Sequence, residues 1–371
     1  MRTALRRRLL IALAAALIAL TTAAPQVGAE TPRPRWDTRV FAKVGSPGYP
    51  ANVYAHPNGR IYAGTYTNLL GDSIPSKVFE WSASGTLLRT WTVPGQRLDK
   101  PHGVQASISD SKGRLLLLEK STSRILRLDL GTGKFSTYAT IPDLPTCTAA
   151  GAGADCSPNL VDHEGIPNYS VWGPKGELYV TDFAQAVIWR VPPGGGTPQP
   201  WFSDKRLDGL EFGTAGIALS PDRKALYVMQ QTSLGLGELS LGTGKLYKLP
   251  IASGGRPGTL SKVWESRFGE LPDGFGIARS GRIYIGNAGL MQQIVVIDAA
   301  GKEIERFPET SLTGDNGSPI PFDGPSNATF VGNRILVANQ ANLGNTSHHA
   351  VLDVNVGEPG DKIYIPAGAG S

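Results

Sequence analysis

Four polar side chains, His102, Asn168, Asp273 and Ser326, each open a similar apolar stretch of this chain, and Ala51 and Ala215 open two more. The residues that follow them are Gly103, Tyr169, Gly274, Asn327, Asn52 and Gly216. Strands entering a packed core usually begin apolar, so a recurring polar opening marks a candidate site. Asn168, Asp273 and Asn327 carry oxygen donors, one of them charged, which suits a hard cation such as calcium. Tyr169, Ser326 and Asn52 are the candidate substrate contacts beside them. Each position also has a plainer reading. Asp273 in "LPDGFG" would serve a turn, Asn168 would cap a loop, and His102 in "KPHGV" would be a satisfied structural histidine. Glu119 and Asp182, at the ends of second strands, are expected to hydrogen-bond between neighbouring units. Only five histidines exist and they are scattered, which argues against a zinc cluster. Neither GxSxG nor HExxH occurs. The two GTGK stretches lack the upstream Gly and trailing Ser/Thr of a phosphate loop and read as hairpin turns.

These residues need elements that bring them together. Six times a short apolar strand gives way to a turn and a second apolar strand, from "ANVYAHPNGRIYAGT" to "SNATFVGNRILVAN". Five of the six are followed by a second hairpin, as in "VFEWSASGTLLRTW". Two hairpins make a four-stranded sheet, and self-similarity at that period means radial repetition. The expected fold is therefore all-β, a six-bladed propeller of four-stranded antiparallel blades. Pro50, Pro101, Pro167, Thr214, Pro272 and Pro325 are taken as equivalent starts. The opening residues would then gather at one mouth of the central channel, where propellers build sites from several units. His348, His349 and Glu164 fall in insertion loops that would wall this mouth. "WDTRVFAKV" precedes the first unit and is expected to complete the sixth, protecting an open edge; "KIYIP" competes for that place.

Residues 1–29 read as a secretory signal peptide, with Arg2, Arg6, Arg7 and Arg8, an apolar run from Leu9 to Leu20, and small residues at Val27-Gly28-Ala29. Residues 30–366 then form the single propeller domain, and 367–371 a flexible tail. The formal charge of +5 falls to about +1 without the signal, so the basic balance predicts neither nucleic acid nor membrane as partner. Cys147 and Cys156 are the only cysteines, and outside the cytoplasm they are expected to form one disulfide. The mature chain is expected to be secreted and monomeric.

The pattern resembles the gluconolactonase / senescence marker protein / luciferin-regenerating enzyme family, six-bladed propellers with one divalent metal at the channel mouth. "PNYSVWGPKGELYVTD" is similar to the third-unit segment, which puts Asn168 in the ligand or substrate-contacting Asn place. "PDGFGIARSGRIYIGN" is similar to the fifth-unit segment, which puts Asp273 in the metal-binding Asp place. Pro50 stands where that family has a Glu, Ala215 where it has an Asn, and Tyr169 where an acid often follows. The resemblance implies a metal-dependent hydrolase of small-molecule lactones or related esters. Calcium would polarise the carbonyl, Asp273 would ligate and assist as base, and His102 would take a proton. The alternative is a non-catalytic propeller binding a ligand or protein at its top face, resembling NHL-repeat scaffolds. A third reading is a strictosidine-synthase-like or streptogramin-lyase-like enzyme, for which the chain offers no motif.

Overall fold

A computed structural model describes residues 33–67, 71–148, 155–209, 213–232, 242–342 and 344–371. The expected signal peptide lies outside the described residues. From Pro34 onward the chain is one compact unit. It contains six four-stranded antiparallel sheets. Five of them run in chain order from an innermost strand outwards: Pro50–Ala55, Val104–Ser109, Pro167–Trp172, Thr214–Leu219 and Pro272–Ile277 are the innermost strands of blades 1 to 5. The expected all-β propeller is the fold.

Burial falls off radially, and the sequence follows it. Second strands are almost wholly buried, Leu115–Glu119 and Ile283–Asn287 at every residue, because both faces of each sheet press on a neighbouring blade. An outer strand such as Leu87–Thr92 is mostly exposed. The apolar interior therefore consists of seams between blades. Trp172 and Trp189 fill one seam with Leu116, Leu118 and Val180. Each indole also finds an acceptor, Trp172 in Ser109 O at 2.8 Å and Trp189 in Asp182 Oδ2 at 2.8 Å. Burying such a side chain is worth roughly 3 kcal/mol.

Blade 6 closes the ring as expected. Its strands Thr329–Val331, Arg334–Asn339 and Ala350–Asn355 are completed by Thr38–Lys43, paired Thr38 to Val354 and Lys43 to Ala350. "KIYIP" is not a strand. The Asp361 N–H donates to Ile277 O on blade 5, and the Tyr364 hydroxyl reaches Pro174 O on blade 3, so this segment crosses one end of the channel. Residues 367–371, expected as a tail outside the domain, are held against blade 2. Ala369 is fully buried, its carbonyl accepts from Ser111, and Gly370 O accepts from Arg114 and Arg127.

Every blade shares one irregularity. Between Pro50 and Val53 the innermost strand has one residue more than its partner between Thr65 and Ala63. The same single extra residue occurs in blades 3, 4 and 5, and two residues later in blade 2. Blade 6 has it between Pro325 and Thr329. Such a bulge re-aims side chains and frees backbone groups. In blade 3 Thr181 meets that need: its hydroxyl accepts from Tyr169 N at 3.0 Å and bonds Ala215 O at 2.7 Å in the next blade.

Candidate functional site

Pairing with the second strand fixes which residues share a level. The partners are Pro50 with Thr65, Val104 with Glu119, Pro167 with Asp182, Thr214 with Gln230, Pro272 with Asn287 and Pro325 with Asn339. The next residues form a ring at one end of the channel: Ala51, Gln105, Asn168, Ala215, Asp273 and Ser326. Asn168, Asp273 and Ser326 hold their expected places. His102 does not, because the innermost strand of blade 2 opens at Val104 rather than Pro101.

His102 is fully buried away from this ring. Its Nδ1 faces Lys100 O at 3.0 Å and its Nε2 faces Ile74 O at 2.9 Å, with Asp72 Oδ1 at 3.6 Å. It braces a loop, and neither nitrogen is turned towards the channel ring. Gln105 takes its place. Its Nε2 donates to Asn168 Oδ1 at 2.9 Å, and its Oε1 is buried with no partner among the described residues.

Most of the ring's polar atoms join one blade to the next. Asn168 Nδ2 donates to Thr214 O at 3.4 Å, joining blades 3 and 4. Gly274 N donates to Ser326 O at 2.8 Å, and Ser326 Oγ donates to Ala51 O at 2.6 Å, which carries the link from blade 5 through 6 to 1. Asn52 Nδ2 donates to Ala106 O at 2.8 Å, joining blades 1 and 2. Asn327 is spent within blade 6, where its Oδ1 accepts from Ala338 N at 2.7 Å and its Nδ2 donates to Thr329 Oγ1 at 2.8 Å.

Asp273 differs from all of these. It is 8 % exposed and makes no ion pair among the described residues. Burial pushes its carboxyl up to about 8, offset only in part by a hydrogen bond with Tyr169. The Tyr169 hydroxyl also lies 3.0 Å from Ser326 O. A phenol has one proton, so the pair has two settings. With Asp273 protonated, the acid donates to Tyr169 and Tyr169 donates to Ser326 O; with Asp273 ionised, Tyr169 turns to the carboxylate. Burial and the Asp273 charge hold Tyr169 well above the ordinary phenol range, and the same two causes raise Tyr66. Tyr66 is the part-exposed member of this group, and the neighbouring Gln105 side chain offsets part of the rise. Sequence reasoning missed Tyr66 because it follows a second strand, where no unit repeats it.

The donors do not fit a divalent cation. Asn168 and Asn327 already use their amide oxygens, Ala51 and Ala215 supply none, and Asp273 is the ring's single carboxyl. Among the described residues no group of three His, Cys, Asp or Glu side chains could hold a metal. Glu119 and Asp182 are structural. Glu119 binds the Ser121 N–H and hydroxyl at 2.8 and 2.7 Å, and Asp182 takes backbone N–H groups of Ile166, Ala184 and Gln185. Glu164 pairs with Lys100 at 2.6 Å. His348 Nδ1 meets Asp323 at 2.9 Å, while His349 packs on Tyr49 and burial lowers its pKa. The expected Cys147–Cys156 disulfide is present.

No family model matches this chain, and no curated protein does. Solved structures share its fold. A protein assigned as a gluconolactonase overlays with a TM-score of 0.57 at 14% identity, across 88% of this chain and 93% of that one. A calcium-binding protein, regucalcin, from Agrobacterium tumefaciens gives 0.56 at 17% identity, across 88% and 98%. A streptogramin B lyase gives 0.52 at 16%, across 87% and 100%. The resemblance to gluconolactonase-type propellers is thus one of architecture. The same ring of blades also carries a lyase, so chemistry has to be argued from the site.

Proposed function

We propose that this protein opens lactones or related small-molecule esters, with Asp273 as a buried, protonated acid. The observation that carries the proposal is a buried carboxyl in the channel ring that makes no ion pair among the described residues, with the Tyr169 phenol as its neutral neighbour. A carboxyl that keeps its proton at neutral pH is suited to general-acid work. Water would attack the acyl carbon, and the C–O bond to the leaving oxygen would break as that oxygen takes the Asp273 proton. The proton released by the attacking water would return to the Asp273 carboxylate, restoring the acid. Tyr66 would donate to the developing oxyanion, while Tyr169 turns to the Asp273 carboxylate as the acid gives up its proton. Fold likeness to a gluconolactonase supports the reaction class; the calcium expected from the family resemblance has no donor set here, and no step uses it.

Turnover of a panel of aliphatic and sugar lactones tests this. Asp273→Asn should lower kcat by about a hundredfold or more, in the range of one general acid, and chelator should leave wild-type activity unchanged. Equal turnover by the variant, or activity restored only by added calcium, would refute the assignment. The second reading, a propeller that binds without reacting, is favoured by the prior engagement of Asn168 and Asn327. It predicts no turnover of any panel member. We further propose export, supported by the basic and apolar start of the sequence and by a disulfide of the kind that persists in oxidising compartments.

A further inference from the structure

At the end of the channel where the innermost strands finish lies a cavity of about 580 Å³. Its walls are apolar side chains from successive blades, among them Val53, Ile108, Val171, Ile217, Ile277 and Phe330. Tyr169, Asn52 and Asn327 form its inner boundary, and the segment from Asp361 to Tyr364 spans its mouth. A space of this size suits a molecule of a dozen or more heavy atoms with an apolar body.

The mouth is cationic. Arg223, Arg279 and Lys362 line it against one carboxylate, Asp361, and among the described residues none of the three makes an ion pair. Asp361 is engaged locally, accepting from Lys362 N at 2.9 Å. Arg223 is held there against its conformational preference. It sits at φ +60 in the hairpin turn after the innermost strand of blade 4, where the other blades use Gly59, Gly113, Gly176, Gly281 and Gly332 at positive φ. An L-residue in that region costs about 1 kcal/mol relative to glycine. Its guanidinium stacks 4.2 Å from the Tyr364 ring, fixing the crossing segment over the opening. Arg279 and Lys362 remain as the free cationic heads.

We propose that this cavity binds an amphipathic carboxylate, its apolar body inside and its charged head between Arg279 and Lys362. The cavity shares Tyr169 with the Asp273 site but does not include Asp273, and its occupancy is read without activity. Isothermal titration of the purified protein with decanoate, decanol and decylamine, each below its aggregation threshold, tests it. Decanoate should bind one to one, and decanol and decylamine at least about tenfold more weakly, as the loss of a charge-assisted contact predicts. The double charge reversal Arg279→Glu, Lys362→Glu, at two exposed positions, should weaken decanoate by at least the same factor and spare decanol. Ala218→Trp, which fills the cavity, should abolish both, and melting will report whether that variant folds. Absence of decanoate binding at millimolar concentration, equal binding of decylamine, or indifference to the charge reversal would each overturn the proposal.

Discussion

Replacing Asp273 by Asn mimics its protonated form and removes one titration from the folded state. The folded carboxyl keeps its proton up to about pH 8, whereas the unfolded chain releases it near pH 4. Between those values the native state binds one more proton than the unfolded state, so stability falls as pH rises. The contribution is complete below about pH 4, falls by about 1.4 kcal/mol per pH unit, and is lost above about pH 8. Over the whole window the wild type should lose roughly 5 kcal/mol that Asp273→Asn does not lose. That compares with a net stability of about 5–15 kcal/mol for a typical domain, so the difference is measurable. Urea unfolding of both proteins at half-unit steps from pH 4 to pH 9 gives the difference curve. It should slope in favour of the variant and level off above pH 8. A flat difference, or one that favours the wild type as pH rises, would show that Asp273 is ionised in the native protein and would end its role as an acid.

Two further variants test the packing beside Asp273 and the disulfide loop. A Cβ on Gly274 would lie 2.6 Å from the Tyr169 hydroxyl and 2.9 Å from Ser326 O. Gly274→Ala should therefore cost about 1–3 kcal/mol as overpacking and, by displacing Tyr169, raise the Asp273 titration further; an unchanged pH profile would show that Tyr169 does not tune the acid. Serine at both Cys147 and Cys156 should cost about 2–3 kcal/mol through the freed loop, and reductant should lower the wild type by the same amount while leaving the variant alone.

The ring of blades was legible because its causes are local. Apolar strands alternate with turns whose glycines sit at positive φ, as at Gly59 and Gly113, and each two-hairpin unit repeats the pattern. The closing strand could be read too, since Thr38–Lys43 has strand character and no other partner in sequence order. The C-terminal residues could not. "KIYIP" alternates like a strand, but its place is set by hydrogen bonds to blades 5 and 3, and no local signal encodes them. The cavity it crosses was equally invisible, since its walls come from separate units.

The register of blade 2 shows where proline misled and what would have corrected it. Counting back nine residues from the turn glycine reaches Pro50, Pro167 and Pro272 in blades 1, 3 and 5, and the same count from Gly113 reaches Val104, not Pro101. In blade 4 the count from Arg223 reaches Thr214, which identifies an arginine in a glycine's place before any coordinates exist. Turn geometry is the better marker because the hairpin fixes pairing and pairing fixes level, whereas a proline only favours the start of a strand. The proton on Asp273 lies beyond any such count. It follows from what the neighbouring blades withhold: Ala51 and Ala215 bring no charge, Gln105, Asn168 and Ser326 are each engaged with the next blade, and Tyr169 offers only a neutral hydroxyl. A cation at any of those positions would lower the carboxyl back towards its ordinary range, so the acid is a property of the assembled ring and of no single segment.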